Sequence, residues 1–217
     1  MPPPRRAPPR RPVRARPRRR VRLDNDQRRA QLLALARRAF SEHAYDEVSI
    51  DDLAREAKIS KGLLYHYFPT KRDLYVAGLR EIAEELVQRV TNLPADLAPI
   101  ERVNAGLEAY LDHISQHSRA FVSLMRGGIG SDPEVAAVVE GVRKRLADHF
   151  LEETPLASAF AKNVRFQIAL RGWIGFVEGA SIDWCANPRL SREELRELLT
   201  SIMLAVATTV GPHLLKG

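Results

Sequence analysis

The stretch of residues 47–71 constrains the fold of this chain most, because two short helical patterns follow each other there with a very short connection. Ser49 precedes the first pattern and Ser60 the second, and serine is a preferred residue at the N-cap of a helix. Residues 58–60 link the patterns, so the two helices must cross rather than lie antiparallel. Two short crossing helices, of which the second exposes lysine, aromatic and small residues, are typical of a helix-turn-helix that reads DNA.

Positive charge is concentrated at the N-terminus. Residues 1–22 hold ten of the 34 lysines and arginines and no acidic residue, which leaves 24 basic against 27 acidic side chains in the rest of the chain. Such a segment has few apolar groups to bury, so we expect residues 1–24 to form a disordered arm. The arm either follows the DNA backbone or a minor groove beside the helix-turn-helix, or it is a solubilising extension.

The remaining sequence has helical patterns and no alternating strand pattern, which predicts an all-α fold. Helix 1, predicted from about 26 to 44, packs behind the two short helices and completes a DNA-binding domain over residues 25–72. Residues 73–217 are predicted to form a helical ligand-binding and dimerisation domain, connected to the first by a helix that ends near Thr91. Further helices are predicted over about 99–116, 119–126, 133–152, 157–185 and 191–210.

The helix predicted over residues 157–185 has two different apolar faces. One carries large side chains, and the opposite one carries three glycines. Glycine inside a helix costs ~1 kcal/mol relative to alanine, so a glycine stripe favours the close approach of another helix. The last helix has a matching stripe of small residues, which predicts a four-helix dimer interface with two helices from each chain; tight packing within one chain is the alternative. The predicted interface residues are Gly172, Gly175, Gly179, Ser201, Ala205 and Thr209.

The run ISKGLLYHYFPTKRDL at 59–74, with Phe40, Tyr45 and residues 48–50, resembles the TetR family of bacterial transcriptional regulators. The resemblance covers about residues 27–80. It implies a homodimer that binds double-stranded, palindromic operator DNA through its first three helices, acting as a repressor that a small molecule releases. The segments SDPEVAA and GFVEGASIDW resemble a lipid-related subgroup, which implies a small hydrophobic effector such as a fatty acid or an acyl-CoA.

The same resemblance implies which residues contact DNA. They lie at the start of helix 2, along helix 3 and at the start of helix 4. A lysine and a helix N-terminus favour phosphate, and glycine permits close approach. Leu63 stands where the family commonly has threonine or serine, so it offers an apolar contact without a side-chain hydrogen bond. The implied contacts are Ser49, Ile50, Lys61, Gly62, Leu63, Tyr65, Tyr67 and Lys71.

Apolar residues on the later helices are candidates for the wall of an effector cavity, although the hydrophobic core is the alternative for each of them. His113 and His117 lie four residues apart, but no further ligand follows at the spacing of a zinc site, so we predict neither a metal nor a cofactor. The predicted ligand-binding residues are Tyr110, Phe121, Met125, Phe166, Leu170 and Trp173.

Several classes of protein are disfavoured. The sequence has no nucleophile with a base, no constrained pair of carboxylates and no phosphate loop, so we do not expect an enzyme. No apolar run approaches the ~18 residues of a membrane helix. The single cysteine, Cys185, suits a reducing cytoplasm. The remaining alternative is a nonspecific nucleic-acid-binding protein driven by the arginine arm.

Overall fold

The computed structural model describes residues 18–153 and 163–210, and within these ranges the chain is helical without any strand. Two single 3₁₀ turns, Tyr45–Glu47 and Gly128–Ser131, lie between helices. The helices are α1 Arg18–Glu42, α2 Ile50–Glu56, α3 Lys61–Tyr67, α4 Lys71–Thr91, α5 Pro99–Gln116, α6 Ser118–Arg126, α7 Pro133–Glu153, α8 Val164–Ala186 and α9 Arg192–Val210. The all-α prediction is confirmed. The first residues predicted for α8, 157–162, lie outside the described ranges.

Serine caps set the start of both short helices, as the sequence predicts. The Ser49 hydroxyl accepts a hydrogen bond from the Asp52 amide at 3.3 Å, and the Ser60 hydroxyl accepts one from the Leu63 amide at 3.1 Å. Between the helices the backbone of Lys58 has a φ of 56°, a left-handed conformation that is uncommon outside glycine and asparagine. This residue turns the chain sharply enough for α3 to cross α2.

The start of α1 differs from the prediction. The helix begins at Arg18, whereas the capping residues around Asp26 predict a start near residue 26. Pro17 is the last proline of the N-terminal segment, and the arginines after it are good helix formers, so no residue interrupts the helix from there on. The expectation of a disordered arm over residues 1–24 is therefore wrong for residues 18–24, and residues 1–17 lie outside the described part of the chain.

Three groups of buried side chains organise the molecule; the smallest contains Phe166 and Leu170 of α8 and Met203 of α9, and the other two are connected through α4. The N-terminal core joins α1 to α4 and includes Ala36, Leu53, Leu64 and Leu74, all at most 5% exposed. A second core joins α5, α8 and α9 around Leu111, which is fully buried. Helix α4 packs against α1 on one side and against α5 and α7 on the other, so it connects the N-terminal core and the second core mechanically.

An ion pair fixes the first turn of α4 to the start of α7. The Arg72 guanidinium donates to both oxygens of Asp132, with Nε–Oδ2 at 2.5 Å and Nη2–Oδ1 at 2.7 Å. Asp132 also caps α7, because its Oδ1 accepts from the amides of Glu134 at 2.9 Å and Val135 at 3.3 Å. The bonds from Arg72 lower the pKa of Asp132 to about 2. The beginning of α7 is thereby tied to the end of the DNA-binding domain.

No helix within residues 18–153 and 163–210 has the length and apolar character needed to cross a membrane.

Candidate DNA-contact surface, cavity and dimer face

The first turn of α3 presents its side chains to solvent. Lys61, Gly62 and Leu63 are exposed, Leu63 by 39%, whereas Leu64 on the opposite side is buried in the N-terminal core. Lys61 Nζ bonds Asp51 Oδ2 at 3.0 Å, and this contact raises the pKa of the ammonium. Both partners are exposed, so the pair is weak and leaves the ammonium available to a stronger anion such as phosphate.

The side chain of the first residue of α2, Ile50, does not face solvent. Ile50 is 7% exposed and belongs to the N-terminal core, so the predicted DNA contact at this position is not made by an exposed side chain. It stands directly after the cap residue, and its side chain joins the buried residues contributed by α1 to α4. Ser49, which precedes it, is half-buried and uses its hydroxyl for the cap of α2.

The remaining predicted contacts lie around the end of α3 and the start of α4. Tyr65 and Tyr67 are half-buried and pack against the N-terminal core with part of each ring exposed. Lys71 Nζ lies 4.5 Å from the centroid of the Tyr45 ring. Sequence reasoning gave no role to His66, which is exposed between the two tyrosines and lies one turn after Gly62 on α3.

A cavity of about 450 Å³ lies between α4 to α9 and reaches α1. This volume is within the range of small-molecule sites, and the wall is mainly apolar, as such sites usually are. All six residues predicted for ligand binding belong to its wall: Tyr110, Phe121, Met125, Phe166, Leu170 and Trp173. They are brought together from three helices, α5, α6 and α8.

The cavity also has a polar side that sequence reasoning missed. Arg143 and Glu178 form an ion pair in its wall, with Nε–Oε1 at 2.9 Å and Nη2–Oε2 at 2.7 Å. Tyr110 and His113 are 8% and 4% exposed, and both line the cavity. Burial raises the pKa of the Tyr110 phenol, which therefore stays protonated at neutral pH. The signal in the sequence was the spacing of Tyr110, His113 and His117, which places them on one face of α5.

Burial of His113 makes the stability of the fold depend on pH. Desolvation, followed by the neighbouring His117, lowers the pKa of His113 from 6.5 to about 4; Glu85 and Asp112 act in the opposite direction. Between these pH values the unfolded chain binds a proton that the folded chain does not bind. The free energy of unfolding should therefore fall by up to about 3 kcal/mol as the pH drops from 6.5 to 4, and this loss should stop below 4.

Replacing His113 by phenylalanine should remove this part of the acid destabilisation. Urea unfolding between pH 7 and pH 4 measures it, and the variant is expected to lose less stability on acidification than the unchanged protein. The exposed His43 gives the matched control, since His43→Phe should retain the full pH dependence. Equal slopes for both variants would contradict a neutral, buried His113.

The glycines of the face predicted for dimerisation make no close packing contact with other helices in the described part of the chain. Gly172, Gly175 and Gly179 are exposed, and no atom of the described chain lies within 4 Å of where a Cβ would stand at any of them. Ser201, Ala205 and Thr209 are exposed on α9. Packing within the described chain therefore does not explain the glycine stripe. Exposed apolar side chains accompany it: Ile168 at 68%, Phe176 at 40%, Leu198 at 43% and Leu204 at 49%.

Two sequence families match the chain. Residues 32–78 match "Bacterial regulatory proteins, tetR family", and residues 99–206 match "Tetracyclin repressor-like, C-terminal domain". The HTH-type transcriptional activator FasR of Mycolicibacterium smegmatis is 32% identical over 128 residues, or 58% of each chain. The HTH-type transcriptional regulator EthR of the same organism is 34% identical over 108 residues, 46% of this chain and 47% of that one. The chain thus spans about half the length of these curated relatives.

Solved structures share the fold. A tetR-family transcriptional regulator from Streptomyces coelicolor is 31% identical, with a TM-score of 0.75 over 85% of this chain and 83% of that one. The fatty acid degradation regulator FadR from Bacillus halodurans is 16% identical, with a TM-score of 0.60 over 82% of this chain and 94% of that one, a likeness of fold alone. From the two matched domains and the Streptomyces relative, the chain belongs to the TetR family of transcriptional regulators.

Proposed function

We propose that this protein is a repressor that binds palindromic operator DNA as a homodimer and releases it when a small hydrophobic ligand enters the cavity. The observation that carries the proposal is that the cavity and the DNA-binding domain have side chains in common. Phe40 and Tyr75 belong to the N-terminal core and also line the cavity. A ligand that displaces them acts directly on the packing behind α2 and α3.

A chain of aromatic contacts leads from the cavity wall to the DNA-contact surface. The Tyr75 ring meets the Phe40 ring edge to face at 4.9 Å between centroids, and it meets the Tyr45 ring in the same way at 5.0 Å. Tyr45 in turn holds the ammonium of Lys71 above its ring. A ligand that displaces Tyr75 would therefore disturb Tyr45 and, through Tyr45, the side chain of Lys71, which is a proposed phosphate contact.

DNA is proposed to bind at α3 and its two flanking helix starts. Residues 25–72 form the proposed DNA-binding domain, and residues 73–217 the ligand-binding and dimerisation domain; the two matched families, at 32–78 and 99–206, support this division. The exposed first turn of α3 enters the major groove, and the tyrosines and lysines reach phosphates. The proposed contacts are Ser49, Lys61, Gly62, Leu63, Tyr65, Tyr67 and Lys71, to which His66 is added.

The homodimer is proposed to form through α8 and α9 of both chains, on the exposed face of glycines and small residues. A two-fold protein places two α3 helices on two half-sites of a palindrome about one helical turn apart. Ligand binding then favours a state in which the two helices no longer fit both half-sites. A difference of about 1–3 kcal/mol in ligand affinity between the states changes operator affinity about 5- to 150-fold.

The effector is proposed to carry an acyl chain, such as a fatty acid or an acyl-CoA. The mainly apolar wall of the cavity supports a chain of this kind. FadR is described as a fatty acid degradation regulator, which agrees with the proposal. FasR is described as an activator, so activation is the second candidate for the direction of control.

The proposal is tested with DNA fragments that the full-length protein selects from a genomic library. We expect one palindrome to be enriched, and we expect saturating decanoyl-CoA to lower the affinity for it at least fivefold. A reporter gene behind that palindrome distinguishes repression from activation. Unchanged operator affinity at saturating ligand would overturn release by that ligand.

A chain lacking residues 1–17 tests the alternative that the arginine arm drives nonspecific nucleic-acid binding. This truncation leaves the described part of α1 intact. Retained preference for the palindrome supports the regulator. Loss of all binding, together with no sequence preference in the full-length protein, would support the arm instead.

A further inference from the structure

We propose that the cavity selects an amphiphile whose head group is uncharged and forms hydrogen bonds, such as an alcohol, amide or ester, over the free carboxylate of the same chain length. The inference rests on the proposed function, which supplies the apolar chain of the effector, and it narrows the acyl compounds named there to those without a free carboxylate. It adds the chemistry of the other end of the ligand, from the polar side of the cavity.

One face of α5 supplies that polar side. The hydroxyl of Tyr110 and the Nδ1 atoms of His113 and His117 are buried in the cavity wall without a hydrogen-bond partner in the described chain. Tyr110 and His113 stand at positions i and i+3 of α5, and His117 is the residue directly after its last one, and all three line the cavity. The buried Ser181 hydroxyl lies beside the Tyr110 phenol, outside hydrogen-bonding geometry, and also lacks a partner.

Buried polar atoms without partners are unusual in folded proteins and are commonly satisfied by a ligand or water. A phenol and a neutral imidazole, such as that of His113, can each donate or accept a hydrogen bond, depending on the hydroxyl rotamer and the imidazole tautomer. A head group that both accepts and donates, such as an alcohol or a primary amide, can therefore pair with several of these atoms. The apolar remainder of the wall would receive its chain.

The arginine and the most buried imidazole on this side of the wall offer no unbalanced positive charge to a carboxylate; His117 and His149 are the other imidazoles of the wall. Arg143 is bound by Glu178 through two hydrogen bonds and also approaches Glu140 at 3.5 Å, so its charge is compensated. His113 is neutral at physiological pH, because burial lowers its pKa to about 4. An ionised head in this position would be desolvated without a counter-ion, which is strongly unfavourable.

Arg102 is the other arginine of the described wall. Its Nη2 donates to the carbonyls of Pro94 at 3.2 Å and Ala95 at 3.0 Å, in the loop between α4 and α5. It lies beside Ile100, which is 40% exposed, and therefore belongs to the outer part of the wall. An anionic head group bound at Arg102 would leave the buried polar atoms of Tyr110 and His113 without hydrogen-bond partners. Binding in this arrangement would contradict the proposal.

Four ten-carbon probes separate the head group from the chain: decan-1-ol, decanamide, sodium decanoate and decane. Their affinities for the full-length protein are measured at pH 7.5 by titration calorimetry. We expect decan-1-ol and decanamide to bind at least tenfold more tightly than decanoate. If decanoate binds as tightly as the neutral probes or more tightly, the inference is overturned. In that case, weaker decanoate binding by the Arg102→Gln variant would show that the anion binds at the outer part of the wall.

The variant Tyr110→Phe removes only the hydroxyl. It should weaken decan-1-ol about fivefold, the effect of one hydrogen bond, and leave decane unchanged. Ser115→Ala is the control, since it removes a hydroxyl of α5 that donates to the Asp112 carbonyl at 2.8 Å and does not belong to the cavity wall; it should change neither probe. Equal effects of Tyr110→Phe on decan-1-ol and decane would overturn the inference.

Different results would overturn the selection of a neutral head group and the apolar effector. Equally tight binding of decan-1-ol, decanamide and decanoate would overturn the selection of a neutral head group but would be consistent with an apolar effector. Absence of binding by every probe, decane included, overturns the proposed hydrophobic ligand itself. Shortening a bound probe by one methylene should weaken it roughly fourfold if the chain occupies the apolar wall.

Discussion

Replacing Gly175 by arginine is expected to convert the proposed dimer into monomers and to lower operator affinity by about 10²- to 10⁴-fold, since a single chain can hold one half-site only. Gly175 is exposed in the single chain, and no described atom lies within 4 Å of a Cβ placed there. The helix itself accepts the new side chain, because arginine has a better helix propensity than glycine. The partner helix across the proposed interface does not accept it.

Size-exclusion chromatography with light scattering measures the assembly, and DNA titration measures operator affinity. Gly141→Arg is the matched control, because Gly141 lies within α7 and also has no described atom within 4 Å of a Cβ position. The control should remain dimeric and bind DNA. A dimeric Gly175→Arg protein with unchanged operator affinity would show that the two chains associate through another surface.

Replacing Gly62 by leucine is expected to lower operator affinity about 100-fold while the protein stays folded. A Cβ at Gly62 would meet only the Ser60 hydroxyl, at 4.0 Å, among the described atoms, so the free protein has room for a side chain. In the proposed complex this position faces the groove at close range. A loss of about 1.5 kcal/mol at each of two half-sites gives about 3 kcal/mol, which corresponds to the 100-fold change.

The size dependence distinguishes a steric effect from a folding defect. Gly62→Ala should weaken binding less than Gly62→Leu, and both variants should unfold at the same or a slightly higher urea concentration than the parent, since either residue is a better helix former than glycine. Gly141→Leu controls for the chemistry of the change. Unchanged operator affinity in Gly62→Leu would show that the first turn of α3 does not lie against the DNA.

Local chemistry made most helix boundaries predictable. The hydroxyls of Ser49 and Ser60 cap α2 and α3, and Thr70 forms a reciprocal cap with Asp73, with both amide-to-side-chain distances at 3.0 Å. These interactions involve residues within three positions of each other, so the sequence contains all of their information. The predicted wall of the cavity followed from helical periodicity in the same way, since large apolar residues on one face of a helix point toward the same interior.

Features that depend on distant parts of the chain were not predictable in this way. Ile50 follows a cap and was expected at the DNA, but the packing of α1 and α3 takes it into the core. Arg143 and Glu178 are 35 residues apart, and no local pattern connects them. His113 was considered as a metal ligand because of its spacing from His117, whereas its burial in the cavity became visible only with α5 in place.

The bond between Arg72 and Asp132 determines the order in which acid acts on the molecule. Asp132 remains ionised until the pH approaches about 2, because its carboxylate accepts bonds from Arg72 and from two amides of α7. His113 takes up its proton near pH 4. As the pH falls, His113 in the cavity is therefore protonated while the Arg72–Asp132 ion pair still connects the DNA-binding domain to α7. Acid unfolding of this regulator should begin at the cavity rather than at this ion pair.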